Sequence, residues 1–276
     1  FFPAVGVGYV IPAEPFFAER FKNVQLLKIR ASYGIVGSDV TTGDRYLYRQ
    51  VYNKGDASYF GEVPQAYDSY KEGDLGNNHV TWEKAKKFDI GLDMNLFDKI
   101  SFTIDYFYDK RYDQLVAKND IPLILGVGLA PTNVARTSNK GIDGQLGFQT
   151  RLGQVDFNTN FVFSYAKNKV EYKAEAQQKY PWLAQTGKPI GQTFGYTCLG
   201  YYTPEDIEKI KSGAEDAPAV PNLDVPIQAG DLKYKDLNGD KIIDDYDKSA
   251  IGKPNLPNTT LGWSFGGYWK GFSFNI

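Results

Sequence analysis

The residues most able to do chemistry form one run, Asp236-Leu237-Asn238-Gly239-Asp240-Lys241-Ile242-Ile243-Asp244-Asp245-Tyr246-Asp247. Oxygen-bearing side chains fall at its first, third, fifth, ninth and twelfth positions, and the main-chain carbonyl of Ile242 falls at the seventh. A hard cation takes about six to eight oxygens, so Asp236, Asn238, Asp240, Ile242, Asp244 and Asp247 are spaced as the ligands of a Ca²⁺ loop. Lys241 departs from that pattern, since the sharp turn at the sixth position prefers Gly and an ammonium adds local positive charge. The competing reading is an unmetallated acidic loop held by Asx turns.

Other candidates are weaker. His79 is the only histidine, which rules out a multi-histidine metal site or a histidine-based triad, and its place before Val80-Thr81-Trp82 reads as a surface loop entering a strand. Cys198 is the single cysteine and has no histidine near it in sequence, so a structural thiol is expected rather than a nucleophile. Paired carboxylates such as Asp244/Asp245 or Asp89/Asp93 suit a glycosidase in principle. Asp89 and Asp93, however, share the polar face of one alternating run, where solvation explains them. Trp182, Phe194, Tyr196, Tyr201 and Tyr202 could stack on sugar rings, but packing of a long loop against itself is the simpler expectation. Thr203 to Gly213 reads as a short loop helix, with Pro204 at its first position after a Thr cap, acids in its first turn and a terminal Gly.

The elements that carry these residues are strands. Phe88, Ile90, Leu92, Met94 and Leu96 alternate with Asp89, Gly91, Asp93 and Asn95, and after Phe97-Asp98-Lys99 the pattern resumes through Ile100, Phe102, Ile104, Tyr106 and Tyr108. Period-two alternation on both sides of a tight turn is a hairpin. A second hairpin runs through Ile142, Leu146, Phe148 and Leu152, turns at Gly153-Gln154, and returns through Val155, Phe157, Phe161, Phe163 and Tyr165. A third joins Leu261, Trp263 and Phe265 to Phe272, Phe274 and Ile276. Upstream, Leu27, Ile29, Ala31, Tyr33 and Ile35 alternate with Lys28, Arg30, Ser32 and Gly34, and a weaker run covers Pro3 to Ile11. About eight strands are expected.

Composition agrees with an all-β chain: aromatics are 15% of the residues, with 20 Tyr and 18 Phe. A net charge of −2 gives no electrostatic reason to expect nucleic acid. The longest apolar stretch, Ile121 to Pro131, is about half the ~20 residues of a spanning helix and contains Gly and Pro, so no transmembrane helix is expected. FFPAVGVGYV lacks an initiating Met and a basic leader, from which the chain is expected to begin in mid-protein.

Alternation alone fits a soluble sandwich as well as a barrel. Three features favour a transmembrane antiparallel β-barrel. Several runs exceed the roughly ten tilted residues that a bilayer requires. Turns of two or three residues at one end contrast with long links near 37–79, 116–137 and 172–257 at the other, the outer-membrane arrangement. Aromatic residues mark both ends, Phe97, Trp269 and Phe272 by the short turns and Trp82, Tyr108 and Tyr165 towards the long loops. The polar face, rich in Asp, Asn, Gln, Ser and Gly, reads as a wet lumen.

These residues resemble the SusC/RagA-like TonB-dependent transporters of Bacteroidota. The matching segments are 1–17, LKIRASYGIVGS (27–38), 81–115, SNKGIDGQLGFQTRLG (138–153), GQTFGYTCLGYY (191–202) and 230–274, in family order. The resemblance implies that residues 1–276 are part of one barrel domain, a fragment of a plugged barrel of about 22 strands, with plug and closing strands elsewhere. It further implies an outer-membrane location and TonB-dependent import of an oligosaccharide or peptide. A SusD-like surface lipoprotein would be the lid, and TonB would be contacted through an N-terminal part absent here. The chain would supply barrel wall, lumen lining and external loops against outer-membrane lipid, with no catalytic step. The alternative is a soluble or cell-surface β-rich carbohydrate-binding module with a calcium-stabilised loop. A third reading is an adhesion barrel without plug or lipoprotein.

Overall fold

The computed structural model describes residues 1–39, 45–118, 126–222 and 225–276. The apolar stretch 121–131 therefore lies partly outside the described residues. The alternating runs form one antiparallel meander of eight strands: β1 (Ala4–Val10), β2 (Val24–Ser38), β3 (Glu83–Leu96), β4 (Ile100–Val116), β5 (Thr132–Leu152), β6 (Val155–Tyr172), β7 (Thr259–Trp269) and β8 (Phe272–Asn275). Each is hydrogen-bonded to its neighbours in chain order. Among the described residues no helix is long and apolar enough to cross a membrane.

Two of the hairpins close through consecutive left-handed residues, Phe97 and Asp98 at φ 57° and 53°, and Lys270 and Gly271 at φ 41° and 94°. That turn has the twist that matches right-twisted strands. The β1–β2 link is longer, with a 3-10 turn at Ile11–Ala13 and a short helix, α1, at Pro15–Ala18. It lies at the short-turn end, where the amide of Phe97 donates to the carbonyl of Asn23 at 2.9 Å.

The register places every apolar run on one face. Ile29 stands opposite Leu92, and Leu92 opposite Ile104. Tyr106 stands opposite Ile142, Ile142 opposite Tyr165, and Phe161 between Leu146 and Trp263. This face is not covered: Ile90 is 42% exposed, Leu146 45% and Trp263 76%. The buried apolar residues among those described are Ala130, Ala135, Ala174, Tyr202, Ala219 and Ile243, none of them on that face. A water-soluble sheet would cover such a surface with a second layer. Lipid removes the same surface from water without one. Two polar side chains among the rows of this face bond within the sheet, as hydrocarbon demands. The indole of Trp263 donates to Thr159 Oγ1 at 2.7 Å, and Thr159 donates to the carbonyl of Ser264 at 2.9 Å.

The strands β2 to β6 have 15, 14, 17, 21 and 18 residues, more than the roughly ten needed to cross. β5 begins at Thr132, several residues earlier than the loop boundary expected at 137. Asn133 explains the extension: its side-chain amide donates to the carbonyls of Thr81 and Asp113, and its oxygen accepts from the amide of Thr81. These bonds tie the strand start to two distant segments.

The chain divides into two compact units, residues 1–174 with 257–276, and Glu175–Leu256. The second unit is built of two-stranded pieces, 194–195 with 249–250, 198–201 with 232–234, and 220–221 with 242–243. It also contains the helix Pro204–Ser212, α2. Thr203 caps α2, accepting from the amide of Asp206 while Asp206 accepts from the amide of Thr203, and Gly213 ends it at φ 68°.

Candidate functional site

The polar face of the sheet carries a charge network centred on Arg30. Register sets Arg30 opposite Gly91 and Gly91 opposite Asp105, so the guanidinium reaches across the intervening strand over a residue without a side chain. It contacts Asp105 at 2.6 Å, Asp93 at 3.2 Å and Asp89 at 3.3 Å. One guanidinium among three carboxylates leaves the cluster acidic. The second oxygen of Asp105 is enclosed and takes no hydrogen bond. Towards the short turns of the same face, Gln25, Asn95, Ser101, Gln145, Gln149 and Asn158 line a concavity with Asp98 and Lys99, and Arg151 pairs with Asp156 at 3.5 Å. Phe107, opposite Gly141, is an exception to the small and polar character of this face.

The loop 236–247 folds around its own carboxylates. Asp236 accepts from the amides of Gly239 at 2.6 Å and Lys241 at 2.9 Å, Asn238 from Asp240, and Asp240 from Ile242. Asp247 is completely buried and accepts from Leu237 at 2.7 Å and Asp244 at 3.0 Å. Asp244 caps the turn by accepting from Tyr246. Lys241 sits at φ 68°, the left-handed geometry that this position demands, and its ammonium donates to the carbonyls of Glu215 and Ala217. The oxygen ligand types and the left-handed sixth residue fit a hard cation, and the ammonium is engaged outside the loop. Among the described residues, no three His, Cys, Asp or Glu side chains already converge into a metal-sized cluster.

The remaining candidates resolve individually. His79 is exposed, with its amide donating to Asn77 Oδ1 at 2.9 Å. Cys198 is a free, exposed thiol. Of the five loop aromatics, Tyr202 is buried with its hydroxyl donating to the Ala219 carbonyl at 2.6 Å, and Trp182 stacks on Tyr180 at 4.6 Å. Tyr196 packs on Tyr234 at 5.4 Å, and Phe194 is half-buried. Tyr201, 66% exposed, is the one that presents itself to solvent. Near α2, the Lys233 ammonium at 2.8 Å holds the Asp206 carboxyl below its ordinary range, and Lys248 at 2.7 Å does the same to Asp245.

Strands long enough to cross, with one face fitted to lipid and the other hydrated, define the wall of a transmembrane β-barrel of the outer membrane. The family described as TonB dependent receptor-like, beta-barrel, matches residues 1–275, and the chain belongs to that family. It is 26% identical to TonB-dependent receptor P3 of Formosa agariphila over 293 residues, which covers 100% of the chain and 27% of that relative. Against receptor P39 of the same organism the identity is 26% over 306 residues, covering 99% of the chain and 28% of the relative. The chain thus spans a little over a quarter of the length of these relatives. Its fold is shared with the structure of the RagAB peptide transporter, at a TM-score of 0.71 and 20% identity over 99% of the chain and 28% of that one. A closed-closed state of the RagAB peptide importer gives 0.70 at 19% identity, over the same shares.

Proposed function

We propose that this chain forms wall, lumen lining and external loops of a TonB-dependent importer that carries an oligosaccharide or peptide across the outer membrane. The carrying observation is the two-faced sheet: uncovered apolar rows on one side, and the Arg30 network with an amide-lined basin on the other. A hydrated wall rich in hydrogen-bonding groups suits a polar nutrient, and the reading assigns this chain no catalytic step. The soluble-module alternative requires cover over the apolar rows, which stand open. A SusD-like surface lipoprotein and TonB are the partners in this reading. The long links 39–82 and 173–258 are the parts available to the lipoprotein, because short turns face the periplasm and long loops the exterior.

The reading also includes a Ca²⁺ held by Asp236, Asn238, Asp240, Asp244 and Asp247 with the carbonyl of Ile242. The ion would rigidify the external loop by cross-linking its carboxylates. The test of transport is uptake of labelled peptide and oligosaccharide pools by cells that make the complete protein. Uptake of one pool that disappears when TonB or the lipoprotein is removed is expected. Uptake of neither, or uptake indifferent to TonB, would overturn the proposal.

A further inference from the structure

Towards the long loops the apolar face ends in lysines. Lys86 stands directly opposite Lys110, and Lys140 directly opposite Lys167. Even positions on β3, β4 and β5 and odd positions on β6 carry the apolar rows, so all four side chains rise from the lipid-facing side. The Lys140–Lys167 pair stands in the ring row itself, with Phe88 opposite Tyr108 and Tyr108 opposite Lys140, and the Lys86–Lys110 pair stands one row further towards the loops. All four are exposed. Neighbouring lysines find acids, Lys84 with Asp113, Lys87 with Asp109 and Lys169 with Glu171. Among the described residues none of the four has an ion pair, although Lys86 also lies 5.5 Å from the Tyr112 ring.

Like charges directly opposite on one sheet face repel. Here two such pairs sit side by side on four adjacent strands, a width of about 14 Å at the usual strand spacing, in a chain whose net charge is −2. The repulsion is only partly offset: Glu171, which accepts from Ser138 opposite Lys110, attracts Lys110 from a distance, but none of the four makes an ion pair among the described residues. An anion supplied from outside removes it. We propose that Lys86, Lys110, Lys140 and Lys167 bind the phosphate-bearing headgroup of an outer-leaflet lipid. Lysine stems lie along apolar surface while the ammonium reaches the interface, and the rows below, Ile90, Tyr106 and Ile142, accept the acyl chains of the same molecule. That continuity with the lipid-facing surface selects a lipid over free phosphate. The inference uses the orientation given above, with long loops outward.

The complete protein in neutral detergent is titrated with bisphosphorylated lipid A, with the same lipid stripped of its phosphates, and with inorganic phosphate. Lipid A is expected to raise the Tm, and the stripped lipid and inorganic phosphate at equal concentration are not. The variant K86Q/K110Q/K140Q/K167Q is expected to bind lipid A at least about tenfold more weakly, as loss of several ammonium–headgroup attractions requires. In lipid-free, low-salt detergent the variant is expected to melt above the unmodified protein, with the gap closing as salt screens the repulsion. If the quadruple variant does not fold, K86Q/K110Q and K140Q/K167Q are each expected to lose part of the lipid response. Undiminished binding by the variants, equal binding of stripped lipid, or inorganic phosphate matching lipid A would each overturn the proposal. No nutrient uptake enters these readouts, so failure of the transport reading is separately visible.

Discussion

The guanidinium of Arg30 on β2 meets the carboxylate of Asp105 on β4 at 2.6 Å, across β3. Gly91 is the residue between them in register, and a methyl group there would collide with Asp105 Oδ1 and lie 2.6 Å from Arg30 Cζ. The bridge therefore depends on a glycine for space rather than for backbone freedom.

Gly91→Ala should break that bridge. Charge-assisted hydrogen bonds contribute more than neutral ones, but Arg30 is 32% exposed, so screening reduces the loss to about 1–2 kcal/mol. Urea unfolding of the complete protein in detergent measures it. Asp105→Asn placed on the Gly91→Ala background should cost little more, since both remove the Arg30–Asp105 bridge.

Neighbouring residues on β4 should respond oppositely to the same charge. Ile104→Arg places a guanidinium in the apolar rows and should cost about 2–4 kcal/mol if it lies near the bilayer midplane. Thr103→Arg faces the acidic polar side, near Asp105 and Asp143, and should be tolerated. Folding yield in lipid vesicles compares the two.

The loop helix α2 should loosen in acid. Its Asp206 carboxyl is lowered by the Lys233 ammonium first and by the Thr203 amide next. A depressed folded-state pKa means stability that is present above the ordinary carboxylate value and lost as pH falls through the lower, folded one. Protection of the 204–212 amides, taken relative to their intrinsic exchange at each pH, should therefore be flat near neutrality and fall below the normal carboxylate range. Asp206→Asn should raise exchange at neutral pH and flatten that acid dependence.

Calcium should raise the melting temperature of the complete protein, and Asp240→Ala should abolish the rise. Asp240 uses one oxygen to accept from the Ile242 amide and the other to accept from Asn238, so the variant also loosens the loop's own hydrogen bonding. Lys241→Gly separates the two effects, because it keeps every proposed oxygen ligand and relieves the side chain at φ 68°. It should retain the calcium response. An identical melt with calcium and with chelator would remove the ion from the account.

The alternation from Phe88 to Tyr108 was readable because a strand repeats every two residues, whatever lies beside it. The two-residue turns were readable from the interruption of that period at Phe97-Asp98 and Gly153-Gln154. The start of β5 was not, since Asn133 is fixed by Thr81 and Asp113, 52 and 20 residues away. Arg30 was visible as a polar-face residue, but its three carboxylates belong to other strands and meet it only through register. The lysine row escaped for the same reason: Lys86 and Lys140 look like ordinary surface charge until Lys110 and Lys167 are seen opposite them. In the loop 236–247 the ligand spacing was legible, whereas the engagement of the Lys241 ammonium by Glu215 and Ala217 depends on chain folding back over 24 residues or more.

The account turns on which side of the sheet meets lipid. Nitroxide labels placed singly at Leu261, Gly262, Trp263, Ser264 and Phe265 of the complete protein in a bilayer test this along β7. Labels at 261, 263 and 265 should be relaxed by oxygen dissolved in the hydrocarbon, and labels at 262 and 264 by a water-soluble paramagnetic complex. Loss of that alternation, or odd-numbered labels immobilised and reached by neither relaxant, would mean that protein covers the apolar rows and would contradict a barrel wall.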